Sequence, residues 1–173
     1  MNATPPTTGN QPDAPLLDAA RAVFITHRVS MGVASCSAER VPSLARALGC
    51  RVSADRRQVT VFVSVPRAAA VLRDLSAGGA IAVVFSLPRT HETLQLKGAR
   101  ASIVPLDDSD RARMAAYVES FMEEIRHVGY KDSFTHALVS GLDDECVGVM
   151  FEPTAAFVQT PGPNAGQRLE PKP

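Results

Sequence analysis

Residues Ile81 to Val104 restrict the fold of this chain more than any other stretch. An apolar run, Ile81 to Leu87, meets a short polar link, Pro88 to Glu92. The segment Thr93-Leu94-Gln95-Leu96-Lys97-Gly98 then alternates, with Leu94 and Leu96 on one side and Gln95 and Lys97 on the other. A period of two predicts a half-buried strand. Two strands around a short polar link predict a hairpin. An amide and an ammonium on the polar side suit a polar or anionic ligand. They equally suit a plain solvated strand face, and spacing alone leaves both readings open.

Other elements follow from local pattern. Pro15 to Arg28 has helical spacing, with Leu16, Ala19, Ala20, Val23, Phe24 and His27 in one stripe. Ser30 to Ser37 reads as a strand. Val41 to Ser53 reads as a second strand broken or bulged near Gly49, although its Ala and Arg content also allows a helix. Val59 to Val65 is dense in β-branched residues and reads as a third. Short turns join these three, which is the pattern of a meander in an antiparallel sheet or barrel. Pro66 to Leu75 reads as a helix with Pro at its first position and Gly78-Gly79 past its end. Asp107, Asp108 and Ser109 open a long helix whose buried face carries Met114, Tyr117, Val118, Phe121, Met122 and Ile125, and Gly129 ends it. A shorter helix over Ser133 to Leu142 and strands over Glu145 to Glu152 and Ala155 to Thr160 complete the pattern. Residues 1–14 are expected as a loose N-terminal tail, 15–168 as one domain, and 169–173 as a C-terminal tail.

Composition narrows the function. The 173 residues are 45% hydrophobic, enough for a core, and the net charge is zero. A general nucleic-acid surface needs a basic excess, so none is expected. No apolar run of about 18 residues occurs, so no membrane span is expected. Cys36, Cys50 and Cys146 are scattered and lie in apolar segments, which points to buried free thiols and a cytoplasmic setting. There is no HExxH, P-loop or GxGxxG, and the histidines are isolated. The carboxylate pairs Asp107-Asp108 and Asp143-Asp144 fall at helix starts and turns, where capping accounts for them. No metal site is expected. Chemistry on this chain would have to come from a bound cofactor.

One place offers an anion site. Ser64 and Arg67 stand where a strand gives way to the Pro66 helix, and the first turn of a helix presents free N–H groups. A hydroxyl and a guanidinium there read either as a phosphate cradle or as a helix cap beside a solvated arginine.

The run Ser86-Leu87-Pro88-Arg89-Thr90-His91-Glu92-Thr93-Leu94-Gln95-Leu96-Lys97-Gly98-Ala99 resembles the pyridoxamine 5′-phosphate oxidase-like family of FMN-binding split barrels. Members often carry Pro-x-Thr-x-x-x-x-Gln-x-x-Gly here, matched by Pro88, Thr90, Gln95 and Gly98. The order of elements and the closing Gln159 to Gly166 are also similar to the family. The resemblance implies a mainly β (β+α) protein, a six-stranded antiparallel split β-barrel with flanking helices. It implies a homodimer with FMN at the subunit interface, held by Arg46, Ser64, Arg67, Thr90, Gln95 and Lys97. His91 and Glu92 stand where relatives often carry an aromatic residue and an arginine, and the paired-arginine substrate clamp of the vitamin-forming oxidase is absent. The activity implied is therefore a flavin-dependent oxidoreductase on another small molecule. The alternative is a non-catalytic module that binds or senses a flavin or another flat ligand.

Overall fold

The computed structural model describes residues 14–171. The expected N-terminal tail, apart from Ala14, and the last two residues of the expected C-terminal tail lie outside the described residues. Within them the chain runs α1 (Ala19–Thr26), β1 (Ser30–Cys36), β2 (Pro42–Arg46), β3 (Cys50–Val52), β4 (Val59–Ser64), α2 (Ala69–Ser76), β5 (Ile81–Ser86) and β6 (Thr93–Gly98). It continues through β7 (Ala101–Val104), α3 (Asp108–His127), α4 (Asp132–Leu138), β8 (Cys146–Phe151), β9 (Ala155–Val158) and β10 (Arg168–Leu169).

The strands form two antiparallel sheets, ordered β10-β9-β6-β5-β1-β2 and β3-β4-β8-β7. The expected hairpin is present, with Val84 opposite Gln95. The expected meander is divided. β1 and β2 pair in the six-stranded sheet, whereas β3 and β4 pair in the four-stranded one. The break falls at Gly49. Ala47 N–H still donates to Met31 in the first sheet, and Leu48 N–H already donates to Phe62 in the second. Gly49 makes the switch with φ +133°, a conformation that side chains oppose, and a Cβ there would lie 3.2 Å from the Phe62 ring. β6 runs into β7, and β8 into β9, with the same change of sheet.

The core lies between the inner faces of both sheets. Met31, Val33, Val83, Phe85 and Leu96 come from one sheet, and Val59, Val61, Val63 and Val149 from the other; all are fully buried. α2 packs against β1, β2 and β7, and its buried Asp74 accepts from Ser35 Oγ at 2.9 Å. α3 begins with a capping box between Asp107 and Asp110. Three polar ties then fix it: Asp110 to Arg51 at 3.0 Å, Tyr117 Oη to the Val29 carbonyl at 3.0 Å, and Glu124 to Arg89 at 2.8 Å. The last tie anchors the β5–β6 link.

Several expectations need correction. α1 starts at Ala19 because Asp18 caps it, accepting from Arg21 N–H at 2.8 Å. The buried residues are therefore Leu17 and Ile25, while Val23 of the expected stripe is 64% exposed and His27 is also exposed. Pro66 and Arg67 form a turn ahead of α2. The short helix after Gly129 ends at Leu138, and a turn carries the chain on to β8. Cys36 is exposed, because β1 ends with its side chain on the outer sheet face; Cys50 and Cys146 are buried free thiols. β10 was not expected, and its Leu169 pairs with Ala156.

Gly98 shows how tightly the sheets meet. A Cβ there would lie 2.8 Å from the Phe151 ring and 3.1 Å from the Glu152 carbonyl. Gly98→Ala should cost roughly 1–3 kcal/mol in urea unfolding, as overpacking does. Gly32→Ala, whose nearest neighbour is 3.8 Å away, should be tolerated; equal effects of the two would contradict this packing.

Candidate functional site

The outer face of the six-stranded sheet is built by the residues that alternate with the core. Register aligns them in rows. Arg46 lies opposite Gly32, Gly32 opposite Val84, and Val84 opposite Gln95. Gln95 lies opposite Phe157, and Phe157 opposite Arg168. Arg46 and Gln95 are therefore three strand spacings apart on one face, roughly 14 Å at about 4.8 Å per strand. The neighbouring row carries Leu44, Ala34, Ala82 and Lys97. Between its cationic ends the face is flat, small and apolar, and Leu44 is 76% exposed on it.

Arg46 also lines a cleft of about 180 Å³ with Leu48, Ser64, Arg67, Ala137, Leu138 and Ser140. The structure thus brings Arg46, Ser64 and Arg67 together at one end of the row. Arg46 Nη1 donates to Ser30 Oγ at 3.2 Å, and its guanidinium lies 5.6 Å from the centre of the Phe121 ring. At the other end, Gln95 Oε1 accepts from Gln159 Nε2 at 3.3 Å, and Lys97 Nζ lies 4.9 Å from the centre of the Phe157 ring. Thr90 joins neither group. It is exposed in the β5–β6 link, where its hydroxyl accepts from Glu92 N–H at 3.3 Å. Glu92 lines a groove beside Arg21 and Phe24 of α1, away from the cleft.

Two of the residues lining the cleft meet Asp144, which the sequence offered only as half of a capping carboxylate pair. Ser64 Oγ donates to Asp144 Oδ2 at 2.6 Å, and Arg67 Nε donates to the same oxygen at 2.9 Å. α2 has no side-chain cap at Ala68; the Ser64 hydroxyl accepts from Arg67 N–H at 3.4 Å in the turn before it while donating to Asp144. Asp144 caps nothing; it reaches across to β4 and the α2 turn. Some 80 residues of sequence separate it from Ser64, which is why local spacing could not find it. Phe157 and Arg168 escaped notice for a similar reason, since only strand register brings them into the row.

A larger cleft of about 340 Å³ lies elsewhere, lined by His27, Cys50, Arg51, Arg113 and Tyr117 among others. Arg51 and Arg113 both pair with buried Asp110. Burial pushes the Cys50 thiol up to about 12, which favours the protonated form, and its Sγ donates to the Ile25 carbonyl at 3.2 Å. Among the described residues no group of three or more His, Cys, Asp or Glu is placed to hold a metal, and no helix is long and apolar enough to cross a membrane.

No family model matches the chain, and no curated protein matches it. Solved structures do. An F420 reductase superposes with a TM-score of 0.51 at 15% identity, over 81% of this chain and 98% of that one. A candidate pyridoxamine 5′-phosphate oxidase from Lactobacillus delbrueckii gives a TM-score of 0.51 at 11% identity, over 87% and 98%. HupZ from Group A Streptococcus gives 0.51 at 16% identity, over 87% and 99%. At these identities the likeness is one of fold: the chain has the fold of pyridoxamine 5′-phosphate oxidase-like proteins, as the Pro88–Gly98 run implied.

The Ser64 hydroxyl, and then the Arg67 guanidinium, hold the Asp144 carboxyl below the ordinary aspartate value of 3.8. A carboxyl that titrates lower when folded adds stability above its unfolded value. That stability is lost as pH falls through the depressed folded value. We expect Asp144→Asn to be less stable than the wild type at neutral pH, with the gap closing as unfolding is measured down to about pH 3. A gap that stayed constant into acid would contradict the pairing.

Proposed function

We propose that this chain is a homodimeric, FMN-binding member of the pyridoxamine 5′-phosphate oxidase-like family and an oxidoreductase on a small molecule. The observation that carries the reading is the row Arg46–Gly32–Val84–Gln95, flat in its middle and continuous with the Ser64–Arg67 cleft. Arg46, Ser64 and Arg67 suit a phosphate, although Asp144 already engages two of the three. Gln95 and Lys97 suit the polar edge of a flat ring system, and the absence of a Gly32 side chain leaves room for one. A flavin bound there would supply hydride transfer at its N5.

The barrel reading also has support. Taking β2 with β3, β6 with β7, and β8 with β9 as single bent strands leaves six strands besides β10. Their pairings run in a circuit through both sheets, as in a split barrel. The dimer reading rests on the exposed Leu44 and the small residues around it, since exposed apolar patches mark interfaces.

One observation favours the non-catalytic module. The charged side chains of the strands on this face are Arg46, Lys97 and Arg168, with no carboxylate or histidine to move a proton. The two readings separate on addition of NADH or NADPH to the FMN-loaded protein without oxygen. Bleaching of the flavin band supports the oxidoreductase; a band that stays supports the module.

Arg46→Ala should weaken FMN binding by roughly 1.5–3 kcal/mol, the value of a hydrogen bond to a charged group. Unchanged affinity in a fluorescence titration would place the phosphate elsewhere. Leu44→Arg should turn a dimer into a monomer by light scattering, with unfolding of the subunit little changed. A wild-type monomer would overturn the dimer.

A further inference from the structure

We propose that Asp144 is a built-in competitor for the ligand's phosphate, and so the residue that sets how strongly this site prefers or rejects phosphorylated ligands. The inference rests on the flavin reading of the same cleft, and deepens it. The donors that suit a phosphate oxygen are Ser64 Oγ and Arg67 Nε, and both converge on one carboxylate oxygen of Asp144, at 2.6 and 2.9 Å. An oxyanion of this chain thus occupies the place that a phosphate oxygen would take. A phosphate cannot use those donors while Asp144 holds them, and two anions sharing them repel.

The contact is shaped by the chain around it. Gly141 has φ +112°, and a Cβ there would lie 2.8 Å from Arg67 Nε and 2.9 Å from Asp144 Oδ2. Only glycine lets the turn after α4 close down on the pair. Thr135 of α4 is fully buried, and its hydroxyl has no hydrogen-bond partner among the described residues, a costly state for a buried polar group. Ala137, Leu138 and Ser140 wall the cleft from the segment that leads on to Asp144. With Asp144 in place, the cleft favours ligands whose tail is uncharged. With it withdrawn, Ser64, Arg67 and Arg46 face a phosphate together.

The test compares wild type, Asp144→Ala and the isosteric Asp144→Asn, the last guarding against loss of fold in the alanine variant. FMN and riboflavin, which differ by the phosphate alone, are titrated by flavin fluorescence, and inorganic phosphate is followed separately by thermal shift. We expect FMN affinity to rise at least tenfold in Asp144→Ala, with riboflavin within about twofold of wild type. Phosphate should stabilise both variants more than the wild type. Adding Ser64→Ala to Asp144→Ala should abolish the gain. If no flavin binds any form while phosphate still stabilises the Asp144 variants alone, the flavin reading falls and the competitor role stands. Unchanged or weakened FMN affinity in both variants, with no phosphate effect, overturns the proposal.

Discussion

Everything in this molecule depends on strands that leave one sheet and enter the other without a break in the chain. At Gly49 the transfer needs a backbone conformation that glycine tolerates and other residues resist, directly over the Phe62 ring. At Gly98 it needs the absence of a side chain against Phe151. These crossings bring the two inner faces into a common core and leave the outer face of the six-stranded sheet half-exposed along β1, β5 and β6 among the described residues. A chain that folded its strands as one flat meander would bury neither set of apolar residues fully. It would not bring Arg46, at the end of β2, beside Ser64, at the end of β4.

Function follows from that placement. Register puts Arg46 and Arg168 at the ends of one cross-strand row, with Gly32 and Val84 between Arg46 and Gln95. The end proposed to take a phosphate is a meeting of three elements: the end of β2, the turn from β4 into α2, and the segment between α4 and β8. The first two carry Arg46, Ser64 and Arg67. The third carries a carboxylate, which makes this end a balance between an internal anion and an external one.

Much of the fold was legible in the sequence where local chemistry decides it. The alternation of Leu94 and Leu96 with Gln95 and Lys97 gave the hairpin and its two faces, and the interruption at Gly49 was visible as a break. Asp107 and Gly129 marked the ends of α3 because capping is local. The errors arise where a distant partner decides. Asp18 caps α1, which buries Ile25, while Leu17 is buried just ahead of the cap. β10 has two residues and no periodicity, and forms because Phe157 and Ala156 offer it an edge. Of the candidate site residues, Arg46, Ser64 and Arg67 share a cleft, and Gln95 and Lys97 share the face that Arg46 begins. Thr90 serves its own turn. Asp144 had the sequence look of a turn residue, and only the folded chain reveals which hydroxyl and guanidinium it meets.

The account is tested most directly by mapping backbone amide resonances as FMN is added to the isotope-labelled protein. It predicts that the largest shifts fall on Gly32, Val84, Gln95 and Arg46, with Ser64 and Arg67 at one end. Shifts confined to the cleft around Cys50, Tyr117 and Arg113, with the outer sheet face unmoved, would contradict it.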